Sequence, residues 1–167
     1  MAGTCQDAAD FARDCAAGRN QKGCLLLQKE MCWDAVSLCA ELAQVIDHKK
    51  FLTLKGQENR LISVNDPVVT NANAMRQVPP GHILGFYDPA PQYKRFVHAM
   101  LSTGIGWAAG TKNGCIGIGY DMAYWQLLNL AGGLKWLPQG NFNAAKEANK
   151  MRVLQIHHRP ITDLRLA

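Results

Sequence analysis

The stretch "KEMCWDAVSLCAEL" (residues 29–42) places a thiol, Cys32, at the start of an amphipathic helical pattern. Apolar residues recur there at spacings of three and four, which predicts a helix over 30–46 with one buried stripe. The unpaired N–H groups of a helix N-terminus favour a thiolate and lower the pKa of a thiol. We therefore predict that Cys32 is a nucleophile and that Cys39, further along the stripe, is buried and inert.

A histidine and an asparagine follow at a spacing that suits this thiol. His98 lies in the apolar strand pattern "FVHAMLST", and Asn113 comes 15 residues later, at the end of the next strand pattern. Antiparallel strands joined by the "TGIG" turn would set the amide beside the ring, where its oxygen would fix the tautomer of His98. A Cys-His-Asn set attacks an amide carbonyl through the thiolate, and the histidine protonates the leaving nitrogen.

Several residues compete for these roles. Asp121, which opens a predicted helix as a natural N-cap, is the alternative third residue. Cys24 is the rival nucleophile and His82 the rival base. Asn113 is followed by glycine and so also fits a type I′ hairpin turn, while Cys32 also fits a small core residue on its helix.

The order of these motifs resembles the papain-like cysteine hydrolases. A Cys-Trp pair opens a helix, a glycine-led strand "PPGHILGF" follows, and a strand with histidine precedes Asn or Asp by about fifteen residues over roughly 24–120. The likeness is closer to the compact bacterial effectors and toxins of that superfamily, which include proteases, Gln or Asn deamidases and cell-wall peptide amidases. It implies a papain-like fold with Cys32 as nucleophile, His98 as general base and acid, and Asn113 as the residue that orients the ring.

The chain departs from the family pattern around the oxyanion hole. The family glutamine stands six residues before the cysteine, where this chain has Leu26. Gln28 and the backbone N–H of Cys32 are the substitutes we predict for oxyanion contacts. Trp33, and Trp107 in the same hairpin as His98, are the predicted substrate contacts. Cell-wall amidases follow their cysteine with Ser-Gly, so the Trp33-Asp34 sequence here argues against peptidoglycan.

The amino-acid composition argues against several classes of binding partner and cofactor. Eighteen Lys and Arg against thirteen Asp and Glu give a net charge of +5, but the basic residues form no stripe and no recognised module, so nucleic-acid binding is not predicted. No apolar run reaches the length of a signal peptide core or a membrane span. Six cysteines match no zinc spacing and the tandem His157-His158 lacks a third ligand, so we predict mostly reduced thiols, no metal and no cofactor.

The length of 167 residues suits a single domain over 1–167, and the order of helices first and strands later predicts an α+β fold with N-terminal helices packed on a small antiparallel sheet. The predicted elements are, in chain order, a helix over 7–17, a turn-rich loop over 18–24, the helix over 30–46, connecting structure over 47–80, strands over 79–88, 96–103, 106–113 and 115–119, a helix over 121–133 and a last strand over 151–161.

These residues and the resemblance together predict a cysteine hydrolase that forms a thioester with a protein or peptide substrate, as a protease or a Gln/Asn deamidase. The resemblance further implies an effector that leaves the producing cell through a specialised secretion system without a classical signal peptide and acts inside a target cell. A cognate immunity or chaperone protein is the implied partner. The alternatives are an antibacterial peptidoglycan amidase and a non-catalytic interaction protein in which Cys32 is only packed.

Overall fold

The computed structural model describes residues 2–90, 92, 94–119, 123–140, 142–147 and 150–167. Helices dominate the N-terminal half and strands the C-terminal half, so the predicted α+β class is confirmed. The helices are α1 (Cys5–Ala16), α2 (Gln21–Gln28), α3 (Cys32–Leu42), α4 (His48–Leu54), α5 (Glu58–Leu61), α6 (Ala72–Gln77) and α7 (Leu130–Gly133).

Polar N-caps explain where most of these helices begin. Thr4 caps α1 in a capping box with Asp7, and the side chains of Asn20, Asp47 and Asn71 accept backbone N–H bonds at the starts of α2, α4 and α6. Each such bond satisfies a donor that would otherwise have no partner and contributes on the order of 1 kcal/mol.

The secondary structure of the N-terminal half differs from the prediction in two segments, and the caps explain both differences. The loop predicted over 18–24 is wrong from Gln21 onward, because Asn20 starts α2 inside it. The sequence pattern predicts connecting structure with about one helical stretch over 47–80, but this segment holds three short helices, two of them capped by Asp47 and Asn71. Short helices with an N-cap need little apolar periodicity, which is why the pattern does not reveal them.

A seven-stranded antiparallel sheet, in the order β4-β3-β2-β1-β7-β6-β5, carries the C-terminal half. Its strands are β1 (His82–Asp88), β2 (Arg95–Gly104), β3 (Trp107–Gly110), β4 (Gln126–Asn129), β5 (Lys135–Trp136), β6 (Phe142–Glu147) and β7 (Lys150–Pro160). The two central strands of the site, β1 and β2, are paired through most of their length.

Alternation along β1 and β2 gives the sheet two buried faces. One face, which includes Tyr87 and Ala99, shares a core with α1 and α3, while the other, which includes Phe86 and Met100, packs against the second half of the chain. The alternation breaks at a bulge between Phe86 and Tyr87, where β2 has one extra residue. A bulge turns the side chains beside it, and here it lies directly before His98.

Two predicted elements after β3 are wrong. Instead of a strand over 115–119, the chain forms a 3₁₀ turn at Asn113–Ile116, because Lys112 (φ 58°) and Gly117 (φ 84°) adopt left-handed conformations that no strand contains. Instead of a helix over 121–133, the described part of that segment holds strand β4 and the short helix α7. The apolar run "WQLLNL" is short enough to fit either structure, and pairing with β3 decides for a strand.

None of the helices in the described part of the chain is long and apolar enough to cross a membrane.

Candidate active site

Cys32 is the first residue of α3, two positions later than the predicted start of the helix. Met31 occupies the N-cap and provides no side-chain bond, so the first N–H groups of α3 are left without the cap that α1, α2, α4 and α6 have. The backbone N–H groups of Trp33 and of Cys32 itself interact with the sulfur, and so does the N–H of Ala99 on β2. The sequence feature that suggested a nucleophile, a thiol at an uncapped helix end, is therefore present.

The protonation state of this thiol differs from the expectation. Cys32 is 4% exposed, and burial raises its pKa to about 11. The N–H groups of Ala99 and Trp33 and the positive charge of Lys112 act in the opposite direction but are outweighed. The prediction that the helix N-terminus lowers the pKa of the thiol below its ordinary value is wrong for this closed state, because desolvation exceeds the helix contribution.

His98 and Asn113 are brought together. The His98 Nε2 lies 2.9 Å from the Asn113 Oδ1, and both side chains are fully buried. Asn113 lies in the 3₁₀ turn after β3, so the alternative of a type I′ hairpin turn is wrong. Its amide nitrogen donates to the Gly110 carbonyl at 2.9 Å, which fixes the amide orientation. The oxygen of Asn113 therefore faces the ring, and His98 must carry its proton on Nε2.

The tautomer leaves Nδ1 of His98 with a lone pair. Among the residues that the structure describes, this nitrogen is buried and has no hydrogen-bond partner. Burial lowers the pKa of His98 to about 4, against the opposing effect of the Asn113 bond, so the ring is neutral at pH 7. A buried acceptor without a partner costs on the order of 1–3 kcal/mol. Such a cost at a neutral imidazole is typical of a base that is held for a reaction.

The thiol lies against the backbone of β2, one residue after the imidazole along the strand. The sulfur of Cys32 contacts the N–H of Ala99, and Ala99 is the residue after His98. No hydrogen bond joins Cys32 to His98 in the described part of the chain, in agreement with the free Nδ1. The imidazole packs on Phe86, with 5.4 Å between the ring centroids, and Phe86 belongs to the sheet face opposite the one that Ala99 shares with α3.

Lys112 is a site residue that the sequence did not reveal. Its ammonium donates to the Glu30 carbonyl at 2.7 Å, across the start of α3, and its charge acts on the Cys32 sulfur. A lysine with φ 58° is unusual and strained, and the bond to Glu30 ties the loop that carries Asn113 to the helix that carries Cys32. In the sequence "TKNG" only a turn is readable, so no local signal could have indicated this contact.

The predicted accessory residues have different outcomes. Gln28 ends α2, and its side-chain oxygen accepts from the thiol of Cys24 at 3.7 Å, a contact that does not involve Cys32. Asp121, the alternative third residue, lies outside the described residues.

The two predicted substrate tryptophans lie at different places. Trp33 packs edge to face on Phe96 with 5.8 Å between ring centroids, and in the described part of the chain its buried indole nitrogen has no partner. Trp107, however, pairs with Gly104 at the turn end of β3, whereas Asn113 follows the opposite end of that strand. Trp107 therefore lies at the end of β3 away from Asn113, and its contact with a substrate stays a prediction.

The rival nucleophile and the rival base are engaged away from this site. Burial raises the pKa of Cys24, whose thiol is bonded to Gln28. His82 opens β1, where its Nδ1 lies 3.0 Å from Nδ1 of His158, and burial lowers its pKa to about 4.

No group of three metal-ligating side chains occurs among the described residues, and all six cysteines are free thiols. No known protein-family model, no curated protein and no solved structure matches the chain. The chemistry of the chain must therefore be inferred from the geometry around Cys32, His98 and Asn113.

Proposed function

We propose that the chain is a papain-like cysteine hydrolase that cleaves an amide through a thioester on Cys32. The observation that carries the proposal is the buried Nδ1 of His98, whose lone pair is free because Asn113 holds the proton on Nε2. A histidine kept only for packing would be expected to use both nitrogens, since an unpaired buried polar atom is costly.

In this proposal the thiol of Cys32 and the imidazole of His98, both neutral at rest, come into contact and exchange protons in a defined order. As the Cys32 sulfur attacks the amide carbonyl, its proton moves to Nδ1 of His98, and the new imidazolium is stabilised by the carbonyl oxygen of the Asn113 amide. The imidazolium then gives that proton to the leaving nitrogen, which breaks the C–N bond and leaves an acyl thioester. Water, deprotonated by His98, hydrolyses the thioester and restores the thiol.

The uncapped start of α3 supplies the oxyanion contact in this proposal. The backbone N–H of Cys32 has no intrahelical acceptor at that position, and Met31 gives no side-chain cap. An N–H aimed at the developing oxyanion contributes about 3–4 kcal/mol of transition-state stabilisation in comparable sites. Because Cys32 is 4% exposed and His98 is 0% exposed, the neighbouring side chains must move before a substrate carbonyl reaches the sulfur.

The substrate proposed is an amide of a protein or peptide, which gives cleavage for a backbone amide and deamidation for a Gln or Asn side chain. Delivery of the chain into another cell as an effector, with an immunity or chaperone protein as partner, is proposed on the resemblance alone.

The test compares wild type with Cys32→Ala and with Cys39→Ala, the matched control on the same helix. Each chain is incubated with cell lysate and with purified peptidoglycan, and mass spectrometry follows new peptide termini, Gln or Asn conversions and released stem peptides. We expect products from wild type and Cys39→Ala but none from Cys32→Ala. Identical products from all three chains would show that Cys32 is packed and does not react.

A further inference from the structure

A cavity of about 240 Å³ is lined by Phe96, whose ring packs on Trp33, the residue after the proposed nucleophile. Ile62, Val64, Tyr87 and Phe96 give it apolar walls, and Lys94 is the charged residue of its lining. Ile62 and Tyr87 are buried, whereas Val64 is 42% exposed and forms part of the rim. The cavity is therefore open to solvent on one side and apolar at its base.

The link to Cys32 runs through two aromatic rings. Phe96 lines the cavity and contacts the ring of Trp33 at 5.8 Å between centroids, and Trp33 directly follows Cys32. Phe96 also precedes His98 by two residues on β2. The rings of Phe96 and Trp33 therefore connect the cavity to the residue that follows Cys32.

The ammonium of Lys94 is held in place by two neighbouring side chains. It donates to the side-chain oxygen of Gln155 and lies 3.3 Å from Nε2 of His157. The other ring nitrogen of His157 donates to the Asp66 carbonyl at 2.8 Å, and burial lowers the pKa of His157, so the neutral ring presents Nε2 as an acceptor. Two of the three ammonium protons are used in this way, and the described residues show no hydrogen-bond partner for the third.

A second donor lines the same cavity. Burial, together with the charge of Asp66, raises the pKa of Tyr87, so its hydroxyl keeps the proton. The charge of Asp66 also acts on His157, and its carboxylate accepts the backbone N–H of Ser63 at 2.7 Å. Tyr87 and Lys94 therefore offer donors, Asn59 and Ser63 add polar groups that can donate or accept, and the base of the cavity is apolar.

We propose that this cavity binds a glutamate side chain of the substrate peptide. Its methylene groups would pack on Phe96 and Ile62, and its carboxylate would accept from the ammonium of Lys94 and the hydroxyl of Tyr87. This inference rests on the proposed function for the identity of the ligand as a peptide, and it names the substrate class of that site as acidic.

The test measures binding without turnover. The Cys32→Ala chain is titrated with acetylated, amidated pentapeptides of alanine that carry Glu, Gln or Lys at the central position. Methyl NMR follows Ile62 and Val64, with Ile105, which is 78% exposed and does not line the cavity, as a remote control. We expect the Glu peptide to shift Ile62 and Val64 only, and to bind about tenfold more tightly than the Lys peptide, since a hydrogen bond to a charged group is lost.

Charge reversal gives a result that misfolding cannot imitate. Lys94→Glu in the same Cys32→Ala background should reverse the preference toward the Lys peptide, whereas Lys49→Glu, at an exposed position on α4, should leave it unchanged. Equal affinity for the three peptides, or chemical-shift changes at Ile105 as large as those at Ile62 and Val64, would contradict the proposed glutamate subsite. If the preference for Glu persists but wild type releases no product from any peptide, the cavity stands and the proposed hydrolase is contradicted.

Discussion

The reaction of Cys32 with iodoacetamide should reveal a protected neutral thiol. A pKa of about 11 leaves about one thiolate in ten thousand at pH 7, a few hundredfold fewer than for an ordinary cysteine with a pKa of about 8.5. A more basic thiolate is also more nucleophilic, which returns about a factor of ten. We therefore expect Cys32 to alkylate about 30-fold more slowly in the folded chain than in the unfolded chain at pH 7, and more slowly still if access is limiting.

The assay is peptide-resolved mass spectrometry of Cys32 over pH 6 to 10, with the urea-unfolded chain as the reference. The rate in the folded chain should rise by about a factor of ten per pH unit throughout, because the whole range lies below the pKa of about 11. A plateau below pH 8, with a rate above that of the unfolded chain, would refute the reasoning, since it would mean that a Cys32 thiolate is paired with an imidazolium of His98. Slow alkylation by itself does not show that Cys32 is inert.

The same geometry makes three further predictions. The folded pKa of His98, about 4, lies below the ordinary value of about 6.5, so the unfolded chain takes up the proton first and stability falls as the pH drops through this window. Between pH 7 and pH 4.5 the free energy of unfolding should fall by about 2–3 kcal/mol more in wild type than in His98→Gln. Urea denaturation measures this difference, and an equal fall in both chains would contradict the burial of the neutral ring. Asn113→Ala should lower kcat/KM about tenfold and His98→Ala a hundredfold or more, because the first change releases the ring and the second removes the base. Steady-state kinetics on a cleaved peptide measure both values. An unchanged rate in Asn113→Ala would contradict the orienting role. Lys112→Met removes the bond to the Glu30 carbonyl and a positive charge near the sulfur, so the pKa of Cys32 should rise. Its alkylation at pH 9 should slow by a factor of a few, while Lys112→Arg should stay close to wild type. A faster reaction in Lys112→Met would show that the bond to Glu30 mainly restricts access of the reagent to the thiol.

Much of the site could be predicted because its parts are local. Apolar spacing placed Cys32 at the start of a helix, and strand patterning placed His98 on a buried strand, since both signals come from residues within one element. The separation of His98 and Asn113 matched a hairpin, and the two side chains are in contact. Trp107 belongs to the same hairpin but lies at the other end of β3 from Asn113, because spacing along the chain indicates which strands pair but not which end of a strand faces the site.

The remaining site features could not be read from the sequence because they depend on distant segments. Lys112 reaches the Glu30 carbonyl from 82 residues away, and the cavity beside Phe96 joins Ile62 from the helical segment to Lys94 next to β2. No periodicity links such positions, since they come together only when the helices pack on the sheet.

Local propensity and hydrophobic periodicity are enough to specify the helix that begins at Cys32 and the order of helices before strands, and the amino-acid sequence supplies the residue types of the site. The protonation states, in contrast, depend on the tertiary structure. A helix N-terminus favours a thiolate, but burial between α3 and β2 removes the water that would solvate it, and the loss of hydration outweighs the helix contribution. Burial also keeps His98 neutral, and no described residue is a partner of its Nδ1 lone pair.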